Sequence, residues 1–262
     1  MANLKDIPAY VPGHGLLAGK KVLVTAAAGT GIGFATAKKC LEEGAQVFIS
    51  DIHPDRTQKA ATQLKEETGQ NVQFGLCNVT AQDDVDRIFK EASEALGGLD
   101  VVINNAGLGG TANLVNMTDE QWMVVMDVTL NGCFRVNRAA MQFMKEHDGG
   151  VIVNNASVLG WRAQKGQAHY AAAKAGVMAL TRCAALEGAE FGVRVNAVSP
   201  SLALHPFLHK VTSKELLAEL ESKEAFGRGS EVWEQANVIV FLASDYSSYM
   251  TGEVLSTSSQ HP

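Results

Sequence analysis

Tyr170 and Lys174 stand four residues apart in a segment around Tyr170–Leu186 whose pattern predicts a helix. At that spacing both side chains lie on one face, a turn from each other. A free phenol has a pKa of about 10, too high for a useful base near neutrality, and an ammonium close by favours the phenolate. Ser157 lies thirteen residues before Tyr170, at the C-terminal end of the fifth predicted strand. Ligands of open α/β sheets bind at that edge, so its hydroxyl can hydrogen-bond the oxygen of a reacting carbonyl. The chemistry these types can perform is proton transfer at an alcohol or ketone oxygen. A Tyr-x-x-x-Lys pair alone would usually be a surface coincidence, so its weight depends on the rest of the chain.

A second group of residues supplies that weight. Strand Lys21–Thr25 runs directly into a turn containing Gly29, Thr30, Gly31, Ile32 and Gly33, followed by a helix from about Gly31 to Glu43. Glycines there let backbone N–H groups approach a pyrophosphate, which the positive helix end also favours. The strand-then-helix context is what this motif requires. Asp51 ends the next strand, where a carboxylate accepts hydrogen bonds from adenosine ribose hydroxyls and repels a 2′-phosphate. No Arg or Lys lies in the loop, so NAD(H) is favoured over NADP(H). The plainer alternative for Asp51 is a turn residue at a strand end.

The elements that must position these residues alternate along the chain. Strands are predicted at Lys21–Thr25, Gln46–Asp51, Val72–Cys77, Leu99–Asn104, Val151–Asn155, Val193–Val198 and Glu253–Ser256. Pro54 opens the second helix at a position where proline costs nothing, and Gly69 closes it. Thr118 and Gln121 form a capping box for a long helix through Trp122, Val125, Phe134 and Met141. Continuously apolar strands between amphipathic helices predict an α/β, Rossmann-type, doubly wound parallel sheet of about seven strands, with helices on both faces. Residues 1–18 read as an irregular arm, 19–262 as one catalytic domain, and 201–226 as a substrate lid.

Composition narrows the partners. The 262 residues are 46% hydrophobic and carry a net charge of -6, with Lys and Arg scattered. Nucleic acid is therefore not an expected partner. No apolar run approaches the roughly 20 residues of a membrane span, and the N-terminus does not read as a signal peptide. Cys40, Cys77, Cys133 and Cys183 form no CxxC pair, which suits reduced, half-buried residues in the cytoplasm. Seven histidines without close pairing give no metal site. Met117, Met123, Met126, Met141 and Met144 read as helix-face packing.

With Asn104, Asn105, Ala106 and Gly107 added to these motifs, the chain resembles the short-chain dehydrogenase/reductase family from about Gly19 to Ser258. The resemblance implies that Tyr170 is the general acid/base, that Ser157 orients the substrate oxygen, and that Lys174 holds the nicotinamide ribose and tunes Tyr170. It places the Asn105–Gly107 segment, Asn78, Val79, Pro200 and Ser201 along the cofactor, and implies a homotetramer or homodimer. The sequence departs from the family pattern at several points. The glycine loop is one residue longer and has alanine for its first glycine. Thr129 stands where the family has a catalytic Asn, with Asn131 two residues on and facing elsewhere on a helix. Thr129 is therefore expected to take that role with its hydroxyl.

Other residues are weighed for the substrate. His205 and His209 fall in the predicted lid, and Trp161, Arg162 and Lys165 follow Ser157 on a loop bordering the pocket; His205 and Trp161 are the substrate candidates. His169 reads as a rim or packing residue. The stretch from Pro200 to Leu208 and the Ser258-Ser259-Gln260 ending resemble a subgroup linked to bacterial steroid-ring breakdown. That implies a bulky alicyclic, CoA-linked hydroxy or keto substrate, with Lys210, Lys214 and Lys223 as candidate grips for CoA phosphates. The leading expectation is an NAD(H)-dependent secondary alcohol dehydrogenase/ketoreductase. The alternatives are a non-catalytic NAD-binding sensor, motivated by Thr129, and reduction of a carbon–carbon double bond, which suits two donors on one oxygen less well.

Overall fold

The structure is a computed structural model and describes residues 3–206, 208 and 212–260. Its central strands are β1 (Lys21–Thr25), β2 (Gln46–Asp51), β3 (Gln73–Leu76), β4 (Val101–Asn104), β5 (Gly150–Asn155) and β6 (Val193–Pro200). Two short strands, β7 (Ala203–Leu204) and β8 (Ser230–Glu231), pair with each other, and β9 (Val254–Thr257) closes the main sheet. That sheet has seven strands in the order β3-β2-β1-β4-β5-β6-β9, and every pairing is parallel. The strand order reverses at β1, which opens a crevice beyond the carboxyl ends of β1 and β4.

The apolar strands are explained by cover on both faces. Val22 and Val24 of β1 pack with Leu41 of α1 (Ile32–Glu42), Leu64 of α2 (Pro54–Thr68) and Leu242 of a late helix. Leu23, which points the other way, packs with Ile88 of α3 (Gln82–Leu96) and with Val136 and Ala184 from the two helices described next. Each such side chain is fully buried, a contribution of about 1.5–3 kcal/mol per residue before chain entropy is counted. The edge strand β3 is the exception; its Phe74 and Leu76 are exposed.

The long helix expected after Thr118 is interrupted. It consists of α4 (Asp119–Met126), a π-helical turn at Asp127–Asn131, and α5 (Gly132–Lys145). The predicted capping box is present, with Thr118 Oγ accepting from Gln121 N and Gln121 Oε1 accepting from Thr118 N. Helix α6 (Ala168–Gly188) carries the Tyr/Lys pair, α7 (Lys214–Ser222) lies in the expected lid segment, and α8 (Val232–Ala243) precedes β9. Pro54 starts α2 and Gly69 ends it in the left-handed conformation (φ 72°). Among the described residues no helix is long and apolar enough to cross a membrane. Two packing expectations need correction. Cys183 is exposed although the other three cysteines are buried, and Met123 points outward while Met144 is fully buried.

The N-terminal arm is irregular and is fastened to α1 and α8. Tyr10 meets Trp233 edge-on at 5.2 Å and lies beneath Lys38 and Lys39. Lys39 and Glu43, each only 2% exposed, pair at 3.4 Å. Lys39 also donates to Val11 O, and Glu43 accepts from the N–H groups of His14 (2.7 Å) and Leu16 (3.0 Å). Burial opposes ionisation of Glu43, but the two N–H donors and Lys39 outweigh it and hold its carboxyl below the usual range.

Candidate active site

The nucleotide end begins where β1 stops. Ala26, at the position where the family pattern has glycine, takes a left-handed φ of 52°, a conformation that suits glycine better than alanine. Asn105 Nδ2 holds it by donating to Ala26 O at 3.1 Å and to Thr25 O at 3.2 Å. At Gly33 glycine is required for a different reason. A Cβ there would lie 2.4 Å from Asn105 Nδ2 and 2.5 Å from Ala26 O. Gly31 caps α1 without any side-chain hydrogen bond, and the first turn has no acidic residue. The first N–H groups of α1 therefore face the crevice with the positive helix end behind them.

Asp51 sits at the adenosine end, buried, with Oδ2 accepting from Ala28 N at 3.3 Å and Oδ1 from His53 N at 3.2 Å. Arg56, on the first turn of α2, reaches back over the loop. Its Nε donates to Ala28 O at 3.2 Å, and its terminal nitrogen lies 3.5 Å from where a Gly29 Cβ would be. A cavity of about 650 Å³ joins Gly29, Thr30, Gly31, Asp51, Arg56, Asn78, Val79 and Asn105–Leu108. An uncapped helix start, a fixed carboxylate and this volume fit a dinucleotide.

Ser157 follows β5 in extended conformation and accepts from Leu159 N at 3.2 Å, which leaves the hydroxyl proton for a substrate oxygen. Tyr170 lies on the first turn of α6, its ring beside Gly109. The alanine-rich stretch around it favours helix. Lys174 is buried, with its Nζ 5.6 Å from the centre of the Tyr170 ring and donating to Asn155 O. The predicted pair thus shares one face of α6, with the Lys174 ammonium beside the Tyr170 ring.

Thr129 is tied to the loop after Gly107. Its hydroxyl donates to Leu108 O and accepts from Leu108 N, both at 3.0 Å, and no bond to Lys174 is formed. A Cβ at Gly107 would lie 3.4 Å from Lys174 Nζ and 3.9 Å from the Thr129 methyl. Thr129 therefore anchors the chain after Gly107. Asn131 is turned away, bonded at 3.2 Å to Asp127, which also pairs with Arg135.

Beneath these residues lies a buried amide network. Asn104 and Asn137 donate to Asn154 Oδ1 at 3.2 and 2.8 Å, and Asn154 donates to Thr181 at 3.0 Å. Cys133 is enclosed in it, and burial pushes its thiol up to about 12. The network joins β4, β5, α5 and α6, the four elements that carry the site.

The remaining candidate residues spread along and beyond the nucleotide cavity. His205 lines it, with Nε2 4.0 Å from a Gly31 Cβ position. Ser201 lines a smaller cavity of about 200 Å³ with Glu224, Ser258 and Ser259, and Pro200 ends β6. Asn78 Oδ1 is engaged by Thr80 N and Oγ1 at 3.1 and 2.9 Å. Trp161 is half-exposed on the loop after Ser157, and His169 is buried beside Gly110. His209 and Lys210 lie outside the described residues. Three participants escaped the sequence reading: Arg56, Asn155 and Glu224. Gln260 bridges Arg162 (2.8 Å) and the buried Glu224 (3.0 Å), so the C-terminal segment clasps the loop after Ser157 to the end of α7.

A family model described as enoyl-(acyl carrier protein) reductase matches residues 26–258. The chain belongs to the short-chain dehydrogenase/reductase family. Within this family it is 57% identical, over 99% of its length and 100% of the relative's, to a Mycobacterium tuberculosis protein named (5R,7aS)-5-hydroxy-7a-methyl-1-oxo-2,3,5,6,7,7a-hexahydro-1H-indene-carboxyl-CoA reductase. A 3-oxoacyl-(acyl-carrier-protein) reductase of Thermotoga maritima is 38% identical over 91% of this chain and 96% of that protein. The crystal structure of a short chain dehydrogenase from Mycobacterium smegmatis superposes with a TM-score of 0.89 at 54% identity, covering 99% of this chain and 100% of that one. As a short-chain dehydrogenase/reductase the chain is an oxidoreductase acting on a CH–OH or keto group with a nicotinamide cofactor, and the non-catalytic alternative finds no support.

Proposed function

We propose that this short-chain dehydrogenase/reductase interconverts a ring hydroxyl and ketone on a bulky alicyclic CoA thioester, with NAD(H) as cofactor. The observation that carries the chemistry is Lys174 Nζ set 5.6 Å from the Tyr170 ring centre at the carboxyl edge of the sheet, beside the nucleotide cavity. Ser157 donates its hydroxyl proton to the substrate oxygen. In the oxidative direction Tyr170 takes the alcohol proton as general base; in the reductive direction it returns a proton to the nascent alkoxide. Lys174 stands beside the Tyr170 ring, held by its bond to Asn155 O. A nicotinamide cofactor, held by the Gly29–Gly33 loop, Asp51 and Asn105–Leu108, would supply the hydride chemistry when bound.

The substrate class rests on the Mycobacterium tuberculosis relative, whose name specifies a hydroxy-oxo bicyclic ring carrying a CoA thioester. The NAD(H) preference rests on Asp51, whose carboxylate is fixed by two backbone N–H groups at the cavity and would accept from ribose hydroxyls and repel a 2′-phosphate. A cytoplasmic setting fits four unpaired cysteines. A homotetramer or homodimer fits the exposed apolar residues Leu114, Val115, Met123 and Val124 on and before α4. The test is absorbance of reduced nicotinamide with a panel of ring-hydroxy and ring-keto CoA thioesters against their free acids. Turnover confined to the thioesters supports the reading, and turnover only of simple alcohols or linear acyl substrates refutes the substrate class.

A further inference from the structure

We propose that Asn155 is a positioning residue that ties the catalytic lysine to the glycine-rich loop. Its backbone carbonyl accepts from Lys174 Nζ, while its side-chain Nδ2 donates to Asn105 Oδ1 at 2.8 Å. Asn105 in turn donates to Thr25 O and Ala26 O. The direction of this chain is fixed by chemistry. Both acceptors beyond Asn105 are carbonyls, so Asn105 must present its NH2 to them and its oxygen to Asn155, which must then donate. Two side chains therefore join the left-handed Ala26 of the nucleotide loop to the strand end on which Lys174 rests.

A second observation indicates that the amide is kept for its donor. Asn155 Oδ1 is buried with no hydrogen-bond partner among the described residues. Burying an unpaired acceptor is costly, and an aliphatic side chain would avoid that cost. What an aliphatic residue could not provide is the bond to Asn105. Loss of the bond leaves Asn105 free to rotate, releases Ala26 from its strained conformation and loosens the carbonyl that fixes Lys174. Cofactor binding and turnover should both suffer, while the substrate contacts stay in place.

The inference rests on the reading of Lys174 as part of the reaction, and two readouts separate the two claims. Asn155→Leu removes the donor at similar size, and Asn155→Ser is too short to reach Asn105 if the leucine variant does not fold. For either folded variant, the NADH dissociation constant measured by fluorescence titration should rise about tenfold, the scale of one lost hydrogen bond. The kcat should fall with an unchanged substrate KM. Asn105→Ala combined with Asn155→Leu should be no worse than Asn105→Ala alone. A lower melting temperature with unaltered NADH affinity and kcat would overturn the inference and leave Asn155 a structural residue. If the wild type binds NADH but turns over no thioester, the proposed substrate fails, and the affinity change still decides the role of Asn155.

Discussion

The hydroxyl of Thr129 is bonded in both directions to one residue, Leu108, donating to its carbonyl and accepting from its N–H at 3.0 Å each. Leu108 follows Gly107 in the wall of the nucleotide cavity, and Tyr170 lies beside Gly109. The two bonds thus fix the segment between cofactor and phenol. Thr129→Ser keeps both bonds and should retain kcat within about threefold, whereas Thr129→Val removes both part-buried bonds and should cost about 1–3 kcal/mol of stability, the scale of two hydrogen bonds. Urea denaturation and steady-state kinetics on the pair check this. Equal behaviour of the two variants would remove the anchoring role.

The parts of this arrangement that the sequence exposes are those encoded locally. Strands β1 and β2 lie at their predicted bounds because uninterrupted apolar residues end at a glycine turn and at Asp51. Tyr170 and Lys174 share a face because helical periodicity fixes it. The π turn at Asp127–Asn131 is not legible, since a changed hydrogen-bond ladder leaves the apolar pattern nearly intact. Arg56, and the partners of Gln260, were missed because the bonds reach far along the chain, to Ala28 and to Arg162 and Glu224. Asn155 did leave a signal. Asn104-Asn105 and Asn154-Asn155 are repeated pairs ending two strands, and Asn104 is in register with Asn154.

On the proposed reading, Arg56 and Asp51 would oppose each other in cofactor choice. A carboxylate there would repel a 2′-phosphate and the nearby guanidinium would attract it, so the proposed preference for NAD(H) depends on Asp51. Asp51→Asn should shift the NADPH-to-NADH affinity ratio toward NADPH by roughly tenfold or more, on the scale of one partly screened charge repulsion. Arg56→Ala should shift it the other way. Fluorescence titration with both reduced cofactors reads each ratio, and an unchanged ratio in Asp51→Asn would place discrimination elsewhere.

The arm's attachment should be acid-sensitive. Glu43 has its folded pKa lowered by backbone donors and Lys39 against the effect of burial. Its contribution is therefore present above the ordinary carboxylate range and lost as pH falls through the lowered folded value. Trp233 packs on Tyr10, so tryptophan emission should change as the arm releases in acid. Glu43→Gln removes the carboxylate nearest Lys39, which keeps Val11 O and Glu42 (4.0 Å), and should cost about 1.5–3 kcal/mol at neutral pH, with a flatter acid limb. An unaltered acid limb would show that the pair does not fasten the arm.

The most direct measurement compares wild type with Tyr170→Phe by reduced-nicotinamide absorbance, using a ring-hydroxy CoA thioester and either NAD or NADP. The wild type should turn over with NAD preferred. The phenylalanine variant should lose about 10²–10⁴-fold in kcat, the range of a removed general acid/base, while binding NADH as tightly as before. Turnover by Tyr170→Phe at the wild-type rate would contradict proton transfer by Tyr170 and with it the reading of this site.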